Sequence, residues 1–171
     1  MTALTEKFFN RPTLVVAREL LGKYLVRRRG KKLERFMITE VEAYDGFKDK
    51  ASHASRGLTK RNAPMFGKAG VWYVYFTYGM HWMLNIVTGP EDYPAAVLIR
   101  GTEGISGPAR ITKYLKIDKK FNNKSATPKT GLWVESNPRF RNLKLEIKNS
   151  PRIGVSYAGS VWSKKPWRFF I

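Results

Sequence analysis

Apolar side chains recur at helical spacing through "PTLVVARELL", residues 12–21, where Leu14, Val15, Ala17, Leu20 and Leu21 fall on one stripe and Gly22 is placed to end a helix. The period then drops to two. "KYLVRRRGKKLERFMITEVEAY" reads as a hairpin with one strand to about Arg29, a turn through Gly30 and a long return strand. Residues 48–69 are polar and carry glycine and lysine, which predicts a loop with at most a short helix. The run "GVWYVYFTYGMHWMLNIV", residues 70–87, has 18 residues without a formal charge. That length would allow a membrane span. Thr77, Tyr78 and Gly79 at its centre, then His81 and Asn85, argue instead for two buried strands meeting at a turn. Alternation places Tyr73 and Tyr75 on one face and Trp72, Phe76 and Tyr78 on the other. "AAVLIRG" predicts a further buried strand, and "GPARITKYLKI" from Gly107 a helix. Strands near 131–135, 143–147 and 153–157 would complete the sheet. The expected fold is α+β, one compact domain over residues 1–171, with a mostly antiparallel curved β-sheet, flanking helices and a protruding β-hairpin.

Charge changes that picture from a fold to a partner. Lysine and arginine number 32 against 13 acids, a formal net charge of +19 with a pI near 10.3. A polyanion is the natural counterpart, and nucleic acid is the commonest. A merely basic protein, or one held at an anionic membrane surface, is the competing reading. Cysteine is absent, which excludes disulfides, zinc–thiolate sites, iron–sulfur clusters and a thiol nucleophile. With only His53 and His81, no multi-histidine metal cluster can form, so neither a catalytic metal nor a cofactor is expected. Neither a G-x-x-x-x-G-K-[ST] phosphate loop nor a G-x-S-x-G elbow occurs. The start "MTALTEKFFNRPTLVV" lacks a basic segment followed by an apolar one, so neither a signal nor a transit peptide is expected.

Against this basic background, "ITEVEAYDG", residues 38–46, gathers acid. On a strand Glu40, Glu42 and Tyr44 share one face, with next-but-one side chains roughly 6.5–7 Å apart. A buried carboxylate needs a partner, and near a polyanion it repels. Two explanations fit: an acid retained for chemistry, such as activating water or stabilising a cation, or acids paired with neighbouring lysine and arginine. The aromatic run from Trp72 to Trp82 likewise serves either as core or as a surface on which a base can stack. Asn85 and Arg100 sit inside otherwise apolar "MLNIV" and "VLIRG". Each needs a hydrogen-bond network or a site to justify it.

Taken together, "ARELLGKYLVRR", "ITEVEAYDG", "ASHASRG", "RNAPMFGKAGVWYVYFTYGMHWMLNI", "AAVLIRG", "SGPARITKYLKI" and "RIGVSYAG…KPWRFFI" resemble, in order and spacing, the alkyladenine (3-methyladenine) DNA glycosylase family. The similarity runs from about residue 10 to the end, with the histidine eleven residues after the glutamate of E-A-Y as a specific mark. The resemblance implies a monofunctional base-excision repair enzyme that flips a damaged purine from duplex DNA and hydrolyses its N-glycosidic bond. The family's general base falls on Glu42, and its arginine near the catalytic water and target phosphate on Arg100. The extruded base would lie between Tyr44 and His53 on one side and Tyr75 on the other. Tyr78 matches the tyrosine that fills the vacated stack, and Asn85 the pocket asparagine that disfavours guanine.

A monomer acting on duplex DNA is implied, with no membrane partner, in the nucleoid-bearing cytoplasm of a prokaryote or the nucleus of a eukaryote. Departures from the family pattern are the direct crossing "GTEGISGP", where several relatives carry an insertion, His81 where an aromatic residue is common, and the lack of the long N-terminal extension of some eukaryotic members. Two rivals stand beside this reading: a non-catalytic nucleic-acid-binding module, and a hydrolase of nucleosides or tRNA.

Overall fold

The computed structural model describes residues 1–140 and 145–171. Helices α1 (Glu6–Phe9) and α2 (Thr13–Leu20) come first, and the chain leaves α2 through Leu21 and Gly22, whose φ of 78° suits a residue without a Cβ. Strands β1 (Tyr24–Arg29) and β2 (Lys32–Asp45) form the expected hairpin around Gly30. After two single-turn 3₁₀ segments, His53–Arg56 and Ala63–Phe66, come β3 (Trp72–Thr77), β4 (His81–Val87), β5 (Ala95–Thr102) and the two-residue β6 (Ile105–Ser106). Helix α3 (Pro108–Leu115), β7 (Leu132–Glu135), β8 (Lys148–Ser150), α4 (Gly159–Trp162) and β9 (Arg168–Phe170) complete the elements used below.

The strands make one unclosed, antiparallel nine-stranded sheet with the path β3-β4-β5-β2-β1-β7. Strand β2 is its spine. Its first part pairs with β1, its second part with β5, and residues 40–42 also pair with β9. Register shifts around Glu40 change how β2 faces β5 at that point.

A period of two divides each central strand between two faces. Val41 and Ala43, Trp72 and Val74, Leu84 and Ile86, and Val97 and Ile99 enter one core with Val16 and Leu20 of α2 and Ile111 and Leu115 of α3. The alternating residues Glu42 and Tyr44, Tyr73 and Tyr75, Asn85, and Leu98 and Arg100 point the other way. There the cover is loop rather than helix, and a cavity opens.

Two expected strands do not stand where the apolar pattern put them. Residues 153–157 form a turn running into the 3₁₀ segment Ser156–Ala158, not a strand. Gly154 at φ 76° breaks any extended run, and the buried Arg152 pulls the chain inward. The strand expected at 143–147 is displaced to β8: residues 145–147 are unpaired, while 143 and 144 lie outside the described residues. Strand β9, unforeseen, takes the remaining edge by pairing with both β2 and β8. Tyr78 also departs from simple alternation. Its φ of 52° turns it at the hairpin tip onto the cavity side with Tyr75. Among the described residues no helix is long and apolar enough to cross a membrane.

Trp72 is fully buried, and its indole N–H donates to the Leu132 carbonyl at 3.0 Å, tying β3 to β7 across the core. Trp72→Ala is expected to cost about 3–5 kcal/mol of unfolding free energy by urea titration. A loss below about 1 kcal/mol, the scale of an ordinary substitution, would refute this core placement.

Candidate active site

Six of the seven candidate residues line one cavity of about 520 Å³: Glu42, Tyr44, His53, Tyr75, Tyr78 and Arg100. Asn85 lies in a smaller recess of about 40 Å³ that shares Tyr44, His53 and Tyr75 with it.

Glu42 forms the floor. The residue has no solvent exposure, although it sits mid-strand between Leu98 of β5 and Arg168 of β9. Its Oε1 accepts the Ile153 amide N–H at 2.7 Å and lies 3.4 Å from Arg100 Nη1. Its Oε2 accepts the Tyr44 hydroxyl at 2.8 Å. Burial pushes the carboxyl above its ordinary range, opposed by the Arg100 cation, the Ile153 amide and the Tyr44 hydroxyl. Tyr44 itself, raised by burial and by the facing carboxylate, stays a phenol and keeps its donor role.

Glu40 does different work. It accepts Arg100 Nε at 3.0 Å and Arg168 Nη1 at 2.9 Å, while Arg168 Nε donates to Ser150 Oγ at 2.8 Å. Arg100 is thus held from behind by one glutamate while it faces the other. Gly101 makes this close approach feasible, because a Cβ there would meet the Glu40 Cβ at 2.9 Å and Thr39 Oγ1 at 3.1 Å. Both readings of the acid cluster therefore apply, to different residues: Glu40 is a structural partner and Glu42 is presented to a cavity.

The walls are aromatic. His53 and Tyr75 meet edge to face at 4.6 Å between centroids, and Tyr73 leans on Tyr75 at 5.1 Å. As they stand, His53 and Tyr75 touch, and admitting a flat base between them requires the rings to part. His53 Nδ1 is 3.0 Å from the Tyr73 hydroxyl. Although His53 is exposed as a residue, packing of its ring and the Arg61 cation both lower its pKa, so the imidazole is neutral at physiological pH. Burial lifts Tyr73 to about 12 and Tyr75 further in the same direction, so both remain neutral. Asn85 donates its amide N–H to the Tyr73 carbonyl at 3.1 Å, which fixes the orientation of the buried side chain.

At the rim, Tyr78 is 81% exposed on its left-handed turn, next to Met80 at 67%. Lys50 and Arg56 border the same opening. Ion pairs engage only a minority of the lysines and arginines among the described residues, leaving most of the positive charge to solvent.

Three contributors escaped the sequence reading. The strap of residues 151–158 supplies the Ile153 amide, the buried Arg152 and Tyr157, whose hydroxyl donates to the Ala51 carbonyl at 2.8 Å. Asp49, from the same acidic window as Glu40 and Glu42, takes the arginine-paired alternative: it is fully buried against Arg152. A backbone N–H leaves no side-chain signature; only the R-I-G-V run marked the place. Among the described residues no group of three or more His, Cys, Asp or Glu could hold a metal ion.

Comparison with known proteins places the chain. The family model described as methylpurine-DNA glycosylase matches residues 7–107 and 102–171. A Methanocella arvoryzae protein is 42% identical over 190 residues, covering 99% of this chain and 92% of its own length. One from Legionella pneumophila strain Corby is 42% identical over 178 residues, covering 100% and 95%. One from Wolbachia pipientis wMel is 44% identical over 177 residues, covering 98% and 91%. All three carry the provisional name 3-methyladenine DNA glycosylase.

Because burial raises the Glu42 pKa in the folded state, that carboxyl opposes folding once pH rises above the ordinary glutamate range, where the unfolded chain ionises. Glu42→Gln keeps the acceptor for Ile153 and leaves Arg100 its bond to Glu40. The variant is therefore expected to melt higher than the parent at pH 7, with the gain vanishing below about pH 4, where the carboxyl is protonated in both states. An equal or lower midpoint at pH 7 would contradict the direction of the shift.

Proposed function

The chain belongs to the methylpurine-DNA glycosylase family and is a DNA glycosylase, a hydrolase of N-glycosyl bonds acting in DNA repair; we propose that it flips a damaged purine from duplex DNA into the Glu42 cavity and releases it by a Glu42-activated water. The observation that carries the proposal is the carboxylate itself. A glutamate with no solvent exposure, facing an aromatic-walled cavity and steadied by a cation and an amide, is costly for the fold and suited to a base.

On this reading the water takes the free lone pair of the carboxylate. Four lone-pair directions are available on the two oxygens. Ile153 and Arg100 engage Oε1, and Tyr44 takes one direction on Oε2, which leaves the other on Oε2 for a water proton. In the reaction that water oxygen bonds to C1′ as the C1′–N bond breaks, its proton passes to Glu42, and the bonding pair leaves with the purine. The product is a sugar with a hydroxyl at C1′, an abasic site. The ionised carboxylate stabilises the oxocarbenium character that develops, in the manner of an inverting glycosidase.

Tyr75, with Tyr44 and His53 opposite, stacks on the extruded base. An alkylated, electron-poor purine gains a cation–π contribution there. 3-Methyladenine, 7-methylguanine, hypoxanthine and ethenoadenine are the expected substrates. The Asn85 side chain, fixed on Tyr73, crowds the exocyclic amine of ordinary guanine. Tyr78, exposed on a strained left-handed turn, enters the minor groove and fills the vacated stack, offsetting an unstacking cost of about a few kcal/mol. Phosphates are held by the unpaired positive surface, and Arg100 faces the target phosphate and the water.

Single-turnover release of each base from duplex oligonucleotides tests the reading. Glu42→Gln is expected to slow excision by about 10²–10⁴-fold, the range of general-base contributions. Lys50 borders the cavity, and a route through its amine would form a Schiff base that borohydride traps; with water as nucleophile no adduct is expected. Excision by Glu42→Gln at the parental rate, or a trapped adduct, would overturn the mechanism.

A further inference from the structure

The structure spends a second buried acid–base pair near Glu42 that the reaction does not use directly. Arg152 and Asp49 have no side-chain exposure, and their contacts are bidentate: Nη1 to Oδ2 at 2.6 Å and Nη2 to Oδ1 at 2.8 Å. Arg152 Nη1 also donates to the Ala43 carbonyl of β2 at 2.8 Å, and Nη2 to the Trp162 carbonyl at 3.3 Å. Its guanidinium lies against the Tyr44 ring at 4.8 Å and the Trp167 ring at 5.1 Å, and its Nε has no hydrogen-bond partner. Asp49 accepts the backbone N–H groups of Asp45 and Ala51, both about the turn between β2 and His53. A pair sealed from water adds little net stability, because desolvation offsets its attraction. What a two-point Arg–carboxylate contact supplies is geometry.

The geometry has one direct consequence at the reacting centre. The residue after Arg152 is Ile153, whose N–H meets Glu42 Oε1 at 2.7 Å. Ile153 is itself 52% exposed and has no buried side chain to hold it. Its amide stays on Glu42 because its neighbour is clamped to β2 and to the turn before His53.

We infer that the Asp49–Arg152 pair is the positioning device for Glu42: it seats the Ile153 amide on the carboxylate and ties that strap to the turn presenting His53. The inference rests on Glu42 being the general base. The other groups facing Glu42 are Arg100 from β5, Tyr44 from its own strand, Tyr75 from β3 and Tyr157 from the strap, with Glu40 and Arg168 behind Arg100; the Arg152 cation also favours the ionised carboxyl directly, a contribution that Arg152→Lys keeps. None of them replaces the amide. Losing it removes a hydrogen bond to the ionised form and raises the Glu42 pKa further.

The test is single-turnover excision of one lesion from duplex DNA across pH, with parent, Arg152→Lys, Asp49→Asn, Ile153→Pro and Glu42→Gln. Lysine keeps the charge but cannot span a carboxylate and two carbonyls. Proline deletes the 153 donor, and it also fixes φ there and restricts Arg152 before it. Folding of each variant is checked by circular dichroism. The acid limb of the rate profile is expected to move to higher pH by about one unit in Arg152→Lys, Asp49→Asn and Ile153→Pro, while affinity for undamaged duplex stays unchanged. A merely structural pair would lower the amount of active protein and leave the limb in place. The inference is overturned if folded pair variants keep the parental limb, whether or not Ile153→Pro moves it. It is also overturned if neither pair variant folds, for the pair is then a support of the fold. Parental activity in Glu42→Gln removes the base reading instead, a result distinct from any of these.

Discussion

A carboxylate cannot sit without compensation in the middle of a sheet, and the arrangement around Glu42 follows from that constraint. The residue is fully buried, so every interaction that favours its ionised form has to come from protein. Strand β5 brings Arg100, β2 itself brings the Tyr44 hydroxyl, and the strap from 151 brings the Ile153 amide. Arg100 in turn needs a fixed direction. Glu40 provides it, in a position set by the irregular register of β2 and steadied by Arg168 of β9. The net balance still leaves the carboxyl above its ordinary range, a state suited to taking a proton from water.

The same strands that hold this site also build the core, and they do both because side chains alternate. One face of β2, β3, β4 and β5 is sealed by α2 and α3 with a large apolar cluster. The opposite face is closed by loops that carry His53, Arg152 and Tyr157, and loops leave room. Rigid strands therefore aim the polar side chains while adaptable segments cover them. A flat base can be admitted only when His53 and Tyr75 separate, and of the two His53 sits on the loop.

Much of this was legible from periodicity. Placing Glu40, Glu42 and Tyr44 on one strand face, and Tyr73 with Tyr75 on another, needed only a period of two. Asn85 and Arg100 were marked by polarity inside apolar strands. What escaped lies where the period fails or where side chains carry no signal. Tyr78 left its expected face because a left-handed turn residue reverses parity. Residues 153–157 looked like a strand, yet Gly154 breaks the run and the atom that meets Glu42 is a backbone N–H. Asp49 belonged to the acids for which pairing with lysine or arginine was one reading, but nothing local reveals that its partner lies 103 positions away.

The direct measurement is a ¹³C NMR titration of the Glu42 side-chain carboxyl, assigned by comparison with Glu42→Gln, set beside the pH profile of single-turnover excision by the parent. A Glu42 pKa above the ordinary glutamate range that coincides with the acid limb of excision is the expected result. A Glu42 pKa at or below that range, or an acid limb that titrates elsewhere, would contradict the assignment of this buried carboxylate as the base.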